Sequence, residues 1–190
     1  MTRGRIRAVL ALGTVVGLSP VGTAASWTDT ASITGTTFRS GTIDLQINEA
    51  NSVASTTLSM TDMAPGATSA EVFRVRNAGS TPFTYTIAGG LGGTDATAFA
   101  GQLRLTIVAN GTRSGTGNAA TCTGGTTVVS AQALTTSTAT TIVGTPQGPI
   151  ASGTAGAPVC FQVTFSADAP TTLQGRTATA TFTVNATSTP

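Results

Sequence analysis

The sequence predicts an all-β protein, an antiparallel β-sandwich of jelly-roll type, with an immunoglobulin-like topology as the alternative. Three observations carry this. Apolar and polar residues alternate with period two along most of the chain, Gly-, Ser- and Thr-rich turns separate the alternating runs, and no stretch holds a long 3.6-residue apolar period. Half-buried strands of this kind pair antiparallel, and two such sheets close over one core.

Taken in order, Ile43, Leu45 and Ile47 share one face of a first strand, with Thr42, Asp44, Gln46 and Asn48 on the other. Thr56, Leu58 and Met60 continue the pattern less cleanly. Ala64-Pro65-Gly66-Ala67 reads as a turn, because proline presets φ and glycine tolerates φ > 0. Phe73 and Val75 then point inward and Arg74 and Arg76 outward. After the Asn77-Ala78-Gly79-Ser80 turn come the inward rows Phe83, Tyr85, Ile87 and Leu103, Leu105, Ile107. Asp95 to Gly101 suits one short helical turn, and Gly89 to Gly93 reads as a flexible loop. A further strand is expected near 126–130. Val159, Phe161, Val163 and Phe165 alternate strongly. The closing run sets Ala178, Ala180, Phe182, Val184 and Ala186 against threonines and Asn185. That is about eight strands. The stretch 135–157 shows no clear pattern and is expected to be loop.

The N-terminus has the organisation of a secretory signal. Arg3, Arg5 and Arg7 precede the apolar run Ala8–Leu18, and small residues follow. The run is too short for a bilayer span, which needs about 20 residues. Cleavage is expected between Ala25 and Ser26, so residues 1–25 are assigned to the signal, 26–38 to an N-terminal segment and 39–190 to the sandwich. The expected location is outside the cell, secreted or on its surface. The precursor's net charge of +2 becomes −1 after cleavage, because three of nine arginines leave while all seven acids remain. No basic field remains for nucleic acid. Only 8% of the chain is charged, which leaves little repulsion between copies.

Cys122 and Cys160 are the two cysteines. In an exported chain a disulfide is the leading reading, with two free thiols as the alternative. The closed loop of nearly forty residues would be worth roughly 4 kcal/mol. Cys160 alternates out of phase with Phe161, so a bridge belongs on the outer face or edge of the sandwich.

The segment 22–48 resembles the start of the TasA/camelysin family of secreted bacterial proteins. The resemblance rests on Ser26-Trp27-Thr28-Asp29 at the cleavage site and Thr37-Phe38-Arg39-Ser40-Gly41-Thr42-Ile43-Asp44-Leu45 leading into the first strand. The Pro65-Gly66 and Asn77-Ala78-Gly79-Ser80 turns extend it to about residue 87, and Cys160–Phe165, Asp168-Ala169-Pro170 and Leu173-Gln174-Gly175 resemble actinobacterial relatives. The resemblance implies a jelly-roll subunit of extracellular biofilm fibres, processed by a SipW-type signal peptidase. It also implies that the N-terminal strand of one subunit can complete the sheet of the next. Trp27, Ala31 and Ile33 share one parity, which suits joint entry into a groove, with Gly35 as a pivot and Phe38 following. The alternative is that 26–38 is the first strand of its own sheet or a frayed terminus.

Catalytic motifs are absent. The chain has no histidine, so neither a zinc-binding histidine set nor a serine triad is present. The acids are scattered, with no calcium-loop spacing. The expectation is therefore a non-enzyme without cofactors. Three functions stand in order: a self-associating fibre subunit, a monomeric surface module binding carbohydrate or protein, and a secreted hydrolase.

Overall fold

The computed structural model describes residues 41–51 and 63–189, which fall in one compact unit, Ser40–Pro190. Ten strands are described: β1 (Leu45–Ile47), β2 (Thr68–Asn77), β3 (Phe83–Gly92), β4 (Leu103–Ala109), β5 (Thr112–Ser114), β6 (Thr121–Thr123), β7 (Thr126–Ala133), β8 (Thr141–Ile150), β9 (Ala155–Phe165) and β10 (Thr179–Ser188). One helical turn, α1 (Ala96–Phe99), follows β3. A five-stranded sheet runs β1-β2-β9-β4-β7 and a three-stranded sheet runs β10-β3-β8; β5 and β6 form a separate hairpin.

The pairing is nested. β4 pairs with β7, β3 with β8 and β2 with β9, all antiparallel. A long hairpin rolled across two sheets gives this order, which is the jelly roll. The expected all-β sandwich is thus observed. Its core is the meeting of the two inner rows: Phe83, Leu91, Phe99, Leu105 and Ile107 are at most 1% exposed. Asn77 is fully buried among them, and its amide is satisfied. Its Nδ2 donates to the carbonyls of Thr81 (2.9 Å) and Ile150 (3.1 Å), and its Oδ1 accepts from the Gly79 amide. The Asn77–Ser80 turn is therefore held from inside.

Two sequence expectations need correction. The stretch 135–157, expected to be loop, contains β8. Its register against β3 slips three times, and only Ile142, Val143 and Ile150 are buried, so no period-two row survives to be read. Gly89 to Gly92, expected to be a flexible loop, lie in β3. A Cβ on Gly89 would meet Phe182 and one on Gly90 would meet the Ser137 carbonyl, so these glycines permit close packing. The strand expected at 56–60 lies outside the described residues.

Candidate functional site: an open sheet edge

A β-sandwich has four sheet edges, and each exposes unpaired backbone N–H and C=O groups. Natural sheets blunt such edges by shortness, charge, proline or bulges. Three of the four edges here do so. β1 is three residues long and ends at Asn48 and Glu49, both at positive φ, with Glu49 in an ion pair to Arg76 at 2.8 Å. β7 slips register twice against β4 and carries Ala131 at φ 45°. β8 has three register shifts, Pro146 and Pro149.

β10 has none of these devices. Its ten residues pair with β3 in unbroken register from Thr179↔Gly92 to Ser188↔Phe83. It contains no proline and no charged residue. Among the described residues it has no strand on its other side.

The inner face behind this edge is also unfinished. Ala180, Phe182, Val184 and Ala186 pack against the core yet stay half-buried. Leu45, Ile47 and Phe73 do the same from the facing sheet. Buried Phe161 links the two groups. Its ring lies 5.2 Å from Phe73, edge-on at 89°, and 5.4 Å from Phe182. The result is a seam of half-buried apolar side chains from β1, β2 and β10, joined through the Phe161 ring.

β10 is held at both ends. The Asp95 carboxylate accepts from the Arg176 guanidinium (3.2 Å) and from the Thr177 amide (3.1 Å), and Arg176 Nε donates to the Thr172 carbonyl (2.8 Å). At the far end the Thr189 amide donates to the Pro82 carbonyl (3.0 Å). A fixed template costs less ordering entropy when a partner adds to it.

The disulfide lies on the opposite side of the larger sheet. Cys122 and Cys160 are bonded, with Cα atoms 5.8 Å apart. They clamp the β5–β6 hairpin over a second small cluster of Ala70, Val108 and Ala120. The Cys122 amide also donates to Gln162 Oε1 at 2.8 Å. Electrostatics are sparse. Arg76 pairs with Glu49 and Arg176 with Asp95. Tyr85 has its pKa raised by burial.

The sequence-expected site residues divide sharply. Cys122 and Cys160 come together as described, whereas Ala25, Ser26, Trp27, Ala31, Ile33 and Phe38 lie outside the described residues. Sequence reasoning missed the Phe73–Phe161–Phe182 seam and the Asp95 latch. One signal was available: from Thr177 to Thr189 the chain has no charge and no proline.

These features define a jelly-roll domain with a preorganised open edge. The chain matches the family described as camelysin metallo-endopeptidase over residues 1–187, and it belongs to this TasA/camelysin family. Members of that family are extracellular or associated with the cell surface. No curated protein matches the chain. No helix among the described residues is long and apolar enough to cross a membrane.

The family match corrects the expectation of a non-enzyme, because the family is named for a peptidase. The described residues do not fit the metal that this name implies. They contain no group of three or more histidine, cysteine or acidic side chains able to hold an ion, and both cysteines are consumed in the disulfide.

Proposed function

We propose that the chain is exported, cleaved between Ala25 and Ser26 by a SipW-type peptidase, and built into extracellular fibres by strand exchange. In this reading Ser26–Phe38 of one subunit adds to the β10 edge of the next. Trp27, Ala31 and Ile33 enter the seam beside Phe182 and Val184, and backbone pairing along β10 supplies affinity. Burying a large apolar side chain such as Trp27 or Ile33 contributes roughly 1.5–3 kcal/mol each.

The observation that carries the reading is the undefended edge of β10, set beside three edges that are blunted. A donor of thirteen residues is long enough for it, since ten strand residues span about 33 Å. Electron microscopy of the mature protein tests the reading, alongside a form lacking 26–38 and a Val184→Lys variant. Filaments are expected from the mature protein only. Equal filaments from the truncated form would refute the exchange.

A further inference from the structure

The three-stranded sheet differs from the rest of the domain in one respect. None of the thirty residues of β3, β8 and β10 is charged. The described charges lie elsewhere: Arg74, Arg76, Arg104 and Glu71 on the larger sheet, Arg113 on the hairpin, and the other acids and Arg176 in the loops. The outer face of this sheet is a hydroxyl surface. Thr179, Thr181, Thr183, Asn185 and Thr187 stand exposed along β10. Thr187 and Asn185 pair across the strands with Thr84 and Thr86. A shallow recess of about 420 Å³ opens in the same face, lined by Thr86, Thr138, Thr141, Thr183 and Asn185 together with the apolar Ile87, Ala88 and Ala139.

We propose that this face is a lateral contact between copies of the chain, joining one fibre to its neighbour. The inference rests on the fibre reading above. The occupant is a second copy for two reasons. A face without charge does not repel its own image, and covering it strands no ion in a dry interface. Hydroxyl and amide groups can exchange bonds with the same groups opposite, which suits a two-fold contact of one patch with itself. Area then sets the regime. Three strands of ten residues make a face of roughly 450 Å², so two copies bury about 900 Å². That falls below the roughly 1,200–2,000 Å² of a stable pair of proteins. Free subunits therefore stay apart on this face. Subunits already strung along a fibre present it many times over, and the weak contacts act together. Because no ions take part, bundling is insensitive to salt.

The test uses the mature protein under conditions where it forms filaments. Thr84→Lys with Thr86→Lys places two charges on the central strand of the face and leaves the β10 edge untouched. Ser114→Lys with Thr116→Lys places the same charges on the β5–β6 hairpin as a control. The expected result is side-by-side bundles from the wild type and the control at both low and high salt, and single filaments from the Thr84/Thr86 variant. Filament formation by that variant shows that it is folded. Bundles that persist in it, or are lost equally in the control, or dissolve in salt, would overturn the lateral contact. Absence of filaments from the wild type would instead overturn the fibre reading itself.

Discussion

Removing the Cys122–Cys160 bridge is a perturbation whose size can be worked out. The bond spans 38 residues of sequence, from the β5–β6 hairpin to the middle of β9. Closing a loop of that length restricts the unfolded chain by about 4 kcal/mol. For a domain of this size each kcal/mol shifts the melting temperature by roughly 2–4 °C, so Cys122→Ala with Cys160→Ala should lower it by about 8–16 °C. The native strands beneath do not depend on the bond, because β9 is held by β2 and β4 on either side. Loss of order should therefore concentrate in residues 112–123. Cys160→Ser paired with Cys122→Ala should cost about 1–3 kcal/mol more than the alanine pair, since Cys160 is fully buried and the hydroxyl enters an apolar cluster. Thermal melts of the oxidised, reduced and doubly substituted proteins measure the first effect, and amide hydrogen exchange the second. A drop below about 4 °C, or exchange that rises across β4 and β9 as much as in the hairpin, would refute the reasoning.

Further outcomes follow from single side chains. Asn77→Ala should destabilise by about 3 kcal/mol in a denaturant titration, because the Thr81 and Ile150 carbonyls and the Gly79 amide each lose a partner inside the protein. Gly89→Ala should displace the Phe182 ring from the inner face of β3 and cost on the order of 1–3 kcal/mol, read from melts and from the ring's chemical shifts. Asp95→Asn should change stability by about 1 kcal/mol or less, since the Arg176 side chain is nearly half exposed and the Thr177 amide keeps an acceptor. Tyr85 gives a pH prediction. Burial raises its pKa above the ordinary value near 10, so the folded state holds its proton where the unfolded chain releases it. The stability this contributes is complete below pH 10 and is lost as pH rises through the folded value. As the only tyrosine, its phenolate absorbance should appear later in the folded protein than in urea.

The strands with a clean inner row were legible in the sequence: Phe83, Tyr85 and Ile87 of β3, Leu103, Leu105 and Ile107 of β4, and Val159 to Phe165 of β9 all bury as alternation predicts. β8 was not, because bulges around Pro146 and Pro149 break the period on which such reading depends. The short β5 and β6 were missed as well, since three residues around Arg113 and Cys122 carry no period at all. The out-of-phase Cys160 pointed away from the main core, but its covering hairpin had no signature beyond glycine and threonine. The open edge shows a different limit. That Phe182 and Val184 face inward follows from parity. That they stay half-covered depends on strand order, which places β10 at the end of its sheet. Sequence alone offered Trp27, Ala31 and Ile33 as a candidate donor and gave no acceptor for them.

The central claim is that β10 receives the 26–38 strand, and a peptide experiment addresses it most directly. Protein lacking residues 26–38 is mixed with a synthetic peptide of that sequence, and amide exchange is followed along the chain. The account predicts slowed exchange in β10, residues 179–188, with the β7 and β8 edges unchanged. Slowing at β7 or β8 instead, or no change in β10 at saturating peptide, would contradict it.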